Sequence, residues 1–129
     1  NLYKPDIIHE MMGHCVFFID PKYRELNKAF GNAARRSGDK TLERISRIYW
    51  YTVEFGICSE LGEPKAYGAG LLSSVEELEN VSKIRTELLD FEKLIETEYD
   101  TMRPHTTLYR SPVDFYQTAD NIIRFLSTL

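Results

Sequence analysis

Only two cysteines occur in 129 residues, Cys15 and Cys58, and they lie far apart with no CxxC spacing. A disulfide framework in a small secreted domain ordinarily needs four or more, so reduced thiols in a cytoplasmic protein are expected. No apolar run nears the ~20 residues that a membrane span requires. An excess of basic charge is missing too. Sixteen Lys and Arg stand against 20 Asp and Glu, a formal charge of −4, which argues against a nucleic-acid partner. The opening Asn1-Leu2-Tyr3-Lys4-Pro5 lacks an initiator Met and the basic and apolar regions of a signal peptide, suggesting a processed chain or a fragment.

What is present is an ordinary core. Hydrophobic residues make up 43% and aromatic residues 12%, far from a disordered composition, and the length suits one domain. Pro5 and Asp6 can open a short helix over 6–17 that carries His9 and His14. Asp20 as N-cap and Pro21 in the first turn start a second helix, along which Leu26, Ala29, Phe30, Ala33 and Ala34 recur until Gly38. A third begins at Asp39, with Leu42, Ile45, Ile48, Tyr49, Thr52 and Val53 on a 3.6-residue period that loosens beyond Phe55. Residues 56–59 and 64–67 flank Leu61-Gly62-Glu63 as a candidate hairpin. Ser73 or Ser74 caps a helical piece over 75–81, and a short helix falls near 91–96. Residues 107–110 read as extended, and Pro112 starts a closing amphipathic helix lined by Phe115, Ala119, Ile122, Ile123 and Leu126. The expected class is mostly α with a small β component.

Two features could carry chemistry. His9 and His14 are five residues apart in His9-Glu10-Met11-Met12-Gly13-His14, about 140° around an ideal helix. The HExxH zinc-protease pattern needs them four apart on one face, so that reading fails on geometry. One histidine capping a helix end and the other on the surface is the bland alternative. The second feature is Glu54, the one carboxylate in Ile48-Tyr49-Trp50-Tyr51-Thr52-Val53-Glu54-Phe55-Gly56-Ile57. A carboxylate buried there must be paired, protonated or bound to a metal, because burying it ionised and alone costs several kcal/mol. An ion pair with Arg47 or Arg44, or simple exposure at the helix end, is the structural alternative. Two histidines and one carboxylate also match the facial triad of non-haem Fe(II) oxygenases, which leaves three coordination positions open.

Pro5-Asp6-Ile7-Ile8-His9-Glu10-Met11-Met12-Gly13-His14 resembles the PDxxHExxGH iron motif of the tetrahydrobiopterin-dependent aromatic amino acid hydroxylases. Residues 48–56 are similar to that family's IYWxTVEFG segment, and Lys65-Ala66-Tyr67-Gly68-Ala69-Gly70-Leu71-Leu72-Ser73-Ser74 to its KAYGAGLLSS segment. Similarity continues more weakly to the final helix. The resemblance implies part of the family's catalytic-domain fold, spanning residues 1–129 as a single domain or fragment. It implies iron ligands at His9, His14 and Glu54, and places Glu10 near the pterin. It implies that Pro5, His9 and Trp50 sandwich the substrate ring, that Phe55 lines the same pocket, that Ser73 helps hold the substrate carboxylate, and that Gly70 lets the backbone approach substrate. The implied cofactors are Fe(II) and tetrahydrobiopterin or a related reduced pterin, which together activate O2. The implied reaction is ring hydroxylation of an aromatic amino acid, with phenylalanine to tyrosine favoured.

Departures mark the edges of the resemblance. Lys4 stands where the family usually has Glu, and Val16 where it usually has Pro. Leu2 falls where mammalian members acting on phenylalanine have Thr. The chain corresponds to about the C-terminal half of a typical catalytic domain, so the arginine for the substrate carboxylate and much of the pterin wall lie upstream of it. Self-association, or binding to the other half, would cover apolar surface. The competing function is a non-catalytic iron-binding or interaction module that keeps the triad without the pterin half. Arg35-Arg36 and Glu76-Glu77-Leu78-Glu79 read as solvated faces, and His105 as a loop residue.

Overall fold

The described fold begins at Asp20, whose Oδ1 accepts the Lys22 N–H at 2.8 Å. Pro21 follows, at a position where a missing N–H costs nothing. This computed structural model describes residues 20–72, 85–98 and 107–129. Helix α1, Pro21–Arg35, buries Leu26, Phe30 and Ala33 along one stripe. Gly38 in extended conformation separates it from α2, Asp39–Tyr49, which buries Ile45 and Ile48. Both helices start where the sequence indicates, and α1 ends at Arg35, shortly before Gly38. The continuation to residue 53 takes a different form, because beyond Tyr49 the chain widens into a single π turn, Trp50–Glu54.

The expected hairpin is present. Strand β1, Ile57–Glu60, pairs antiparallel with β2, Glu63–Ala66, in the register Ile57↔Ala66 to Glu60↔Glu63. Leu61 (φ 53°) and Gly62 (φ 80°) make the connection. Left-handed backbone at both turn residues matches the right-handed twist of the strands, which is why a glycine stands here. Pro64 is tolerated because β2 is an edge strand. A short helix α3, Ala69–Leu72, then β3, Arg85–Leu88, and α4, Phe91–Leu94, come next, with Asp90 capping α4 through the Glu92 N–H at 3.1 Å.

Strand β4, Thr107–Arg110, is extended as expected and completes a four-stranded sheet of order β2-β1-β4-β3. It runs parallel to both β1 and β3. The closing helix α5, Phe115–Leu126, starts three residues later than its proline suggests. Asp114 is the cap, accepting the Gln117 N–H at 2.9 Å, and Pro112 lies in the bend before it. The helices expected over 6–17 and 75–81 lie outside the described residues.

Helices α1, α2 and α5 bury one cluster: Leu26, Phe30, Ala33, Ile45, Ile48, Val53, Ile95, Ala119, Ile122 and Leu126. Each fully buried Leu or Ile contributes about 1.5–3 kcal/mol relative to exposure, so this is the larger of the two favourable clusters among the described residues. A second cluster, Ile57, Leu71 and Leu108, packs between sheet and α3. Among the described residues the molecule is mostly helical with one small mixed sheet, the class the sequence implies.

Candidate functional site

The π turn decides where the chemistry-bearing side chains go. The Phe55 N–H bonds the Trp50 carbonyl at 3.1 Å, five residues back, and the Gly56 N–H bonds the Thr52 carbonyl at 2.9 Å. The Thr52 hydroxyl donates to the Ile48 carbonyl at 2.6 Å inside the protein, a back-bond that favours local bending of a helix. Widening by one residue rotates the side chains beyond it around the helix axis. Tyr51, Thr52 and Val53 are buried, while Trp50, Glu54 and Phe55 are half-buried on the other side. Such single π turns recur at functional sites because they redirect a side chain without ending the helix.

Two side chains, Tyr51 and Arg47, hold the turn in place. The Tyr51 hydroxyl donates to the Glu98 carbonyl at 2.9 Å, and its ring meets Tyr109 edge-on at 5.0 Å. The Arg47 guanidinium donates to the Ile95 carbonyl at 2.7 Å and to Glu98 Oε1 at 3.0 Å. Arg47 is therefore engaged elsewhere and is not the ion-pair partner that the sequence allowed for Glu54.

Glu54 and Trp50 lie in the lining of a cleft of about 450 Å³ between α1 and α2, whose other walls include Phe30, Ala34, Ile45 and Tyr49. The Trp50 and Phe55 rings pack at 4.7 Å with planes 51° apart. A half-buried carboxylate lining an aromatic-walled cleft is of a donor type that a metal ion can use. A larger cleft of about 760 Å³ runs along the sheet past Ser59, Glu60, Arg110 and Asp114, and no residue singled out for chemistry lines it.

The segment after the hairpin closes over the π turn. The Tyr67 and Gly68 N–H groups both donate to the Gly56 carbonyl, at 3.0 and 3.1 Å. At Gly70 an added Cβ would sit 2.7 Å from the Phe55 ring and 2.9 Å from the Glu54 carbonyl oxygen. Glycine at 70 thus has a packing reason besides the substrate approach that the resemblance implies. Four of the singled-out residues, Trp50, Glu54, Phe55 and Gly70, come together although they stem from two separate motifs. Pro5, His9, Glu10, His14 and Ser73 lie outside the described residues. Among the described residues no three His, Cys, Asp or Glu side chains gather as a metal site.

Residues 2–129 match the family described as biopterin-dependent aromatic amino acid hydroxylase. The chain belongs to that family. It is 38% identical to protein henna of Drosophila melanogaster over 129 residues, covering 98% of this chain and 28% of the relative. Against tyrosine 3-monooxygenase of the same fly it is 36% identical, covering 98% of this chain and 22% of the relative. Phenylalanine hydroxylase of Legionella pneumophila superposes with a TM-score of 0.82 at 26% identity, over 97% of this chain and 52% of that one. The Chromobacterium violaceum phenylalanine hydroxylase with bound iron(III) and 7,8-dihydrobiopterin gives 0.78 at 28% identity, over 96% of this chain and 46% of that one. The chain thus spans between a fifth and a third of these curated relatives and about half of the solved catalytic chains.

Gly56 and Tyr67, which help seat the two segments together, had no role in the sequence reading, whereas Gly68 was singled out there together with Gly70. The one available signal was glycine recurring inside apolar motifs, at 56, 68 and 70, where no hairpin turn calls for it.

Proposed function

We propose that this chain supplies the iron- and substrate-facing part of a pterin- and Fe(II)-dependent monooxygenase that hydroxylates the ring of an aromatic amino acid, with phenylalanine to tyrosine favoured. In this reading His9, His14 and Glu54 hold the metal, and Glu10 borders the reduced pterin. Pro5, Trp50 and Phe55 hold the substrate ring, Gly70 lets the chain pass close, and Ser73 binds the substrate carboxylate. Residues 1–129 form part of one catalytic domain. Iron and reduced pterin together supply reductive activation of O2. The protein's own share is to fix the ring's distance and tilt and to keep water away from it.

The observation that carries this reading is the meeting of Glu54, Trp50, Phe55 and Gly70 at the π turn. It puts an acidic group beside two aromatic rings, as ring-directed chemistry at a metal requires. Phenylalanine is favoured because phenylalanine hydroxylases recur among the relatives and superposed structures, whereas tyrosine 3-monooxygenase makes tyrosine the first competitor. A cytoplasmic location accords with Cys58, a buried free thiol, and with the lack, among the described residues, of any helix long and apolar enough to cross a membrane. Self-association would cover Leu61 and Leu88, which stand exposed beside the larger cleft.

The test is product formation. Purified protein is loaded anaerobically with Fe(II), then given reduced pterin, O2 and phenylalanine or tyrosine. Tyrosine formed from phenylalanine, faster than dihydroxyphenylalanine from tyrosine, supports the reading. Iron uptake without product from either would favour the binding-module alternative, which rests on the chain's partial coverage of its relatives.

A further inference from the structure

Gly68 stands apart from the other described glycines. An added Cβ there would lie 2.5 Å from the Glu54 carbonyl oxygen and equally close to the Phe55 and Gly56 amide nitrogens. All three atoms are backbone, so none can swing aside as a side chain would. Real Cβ contacts essentially never fall below 3.0 Å, whereas a Cβ on Gly38 or Gly62 would meet nothing within 4 Å. Positive φ is not the reason for glycine at 68, since Gly62 alone among the described glycines has it. The reason is approach. The chain at 68 lies directly on the peptide that joins Glu54 to Phe55, and the doubly bonded Gly56 carbonyl fastens it there.

We propose that Gly68 is a positioning residue for the Glu54 carboxylate, an inference that rests on Glu54 being a metal ligand. Its bare backbone forms a stop against which the Glu54–Phe55 peptide seats, and this fixes the direction in which the Glu54 side chain leaves the π turn. A methyl group at 68 must push the two segments apart by about 0.5 Å, comparable with the tolerance of a working metal site. Gly70 makes the same contact more softly. Its Cβ would reach the Glu54 carbonyl at 2.9 Å and a Phe55 ring that can turn.

The experiment uses the intact protein and four variants: Glu54→Ala, Gly68→Ala, Gly70→Ala and, as a control, Gly38→Ala. Each is titrated anaerobically with Fe(II), and the electron paramagnetic resonance spectrum of its Fe(II)–nitric oxide complex is recorded beside far-UV circular dichroism. Glu54→Ala should lose tight binding. Gly68→Ala should keep its helical spectrum but bind iron roughly 10–100-fold more weakly, as losses of ligand-orienting groups do, with a changed resonance line shape. Gly38→Ala should match the parent. Parent affinity and line shape in a folded Gly68→Ala protein, beside iron loss in Glu54→Ala, would overturn the positioning role alone. Iron retained by Glu54→Ala would overturn the ligand assignment and the positioning role together. Should Gly68→Ala fail to fold, Gly70→Ala decides: a several-fold weakening with an altered line shape supports the role, and no change overturns it.

Discussion

Tyr67 shows how one side chain can serve a backbone. Its ring lies against Gly56, where any Cβ would collide with the phenol, and its hydroxyl is buried with no hydrogen-bond partner among the described residues. The neighbouring Tyr23 hydroxyl donates to the Tyr67 carbonyl at 3.2 Å, leaving the Tyr67 hydroxyl itself unserved. A buried polar group without a partner costs about 1–3 kcal/mol, so Tyr67→Phe should leave urea stability unchanged or raise it by about 1 kcal/mol. A loss of stability beyond that would mean that the hydroxyl has a partner. Burial holds both phenols, Tyr23 and Tyr67, well above the ordinary tyrosine range. The unfolded chain then releases these protons first, so their contribution is intact below pH ~10 and is lost as pH rises past it. Urea stability should therefore fall above pH ~10, and less steeply in Tyr23→Phe; an equal slope would contradict the assignment. None of this was legible in the sequence, where Tyr67 reads as one residue of a hairpin flank and only its contact with Gly56 gives it a role.

At the scale of elements, caps and breakers decide boundaries. Asp20 and Pro21 announce α1 because a side-chain acceptor followed by a residue without N–H has one economical conformation. The same logic applied to Pro112 misplaces the start of α5, since Asp114 offers the better acceptor two residues on. Asp114→Ala should cost about 1 kcal/mol in urea unfolding; no change would mean that water replaces the cap at no penalty. The π turn is the least legible element. One extra residue in a turn leaves the apolar pattern of α2 nearly intact, and the sequence shows it only as periodicity loosening at Phe55. Yet that residue is what sets Glu54 and Trp50 on the cleft side while Thr52 and Val53 enter the core.

For the whole molecule, local signals fix the pieces and long-range pairings assemble them. The hairpin of β1 and β2 was readable from its turn, but the placing of β4 beside β1 was not. That pairing joins residues about fifty positions apart, through contacts such as the Ser111 N–H to the Ile57 carbonyl at 2.8 Å. Stacking of Tyr23 on Phe115 at 4.1 Å ties α1 to α5 in the same non-local way. The site shares this character, because the stretches 48–56 and 65–72 meet only when Gly68 and Gly70 seat on the π turn. Motif resemblance pointed to Glu54 and Trp50 without geometry, and the fold sets both in the lining of one cleft. The most direct test of the central claim is iron stoichiometry after anaerobic Fe(II) titration and desalting, comparing the parent protein with Glu54→Ala. We expect one tightly held iron per chain in the parent and a near-complete loss in the variant, because two histidines alone leave the triad a ligand short. Equal iron in both would contradict the claim that the π turn exists to present a metal-binding carboxylate.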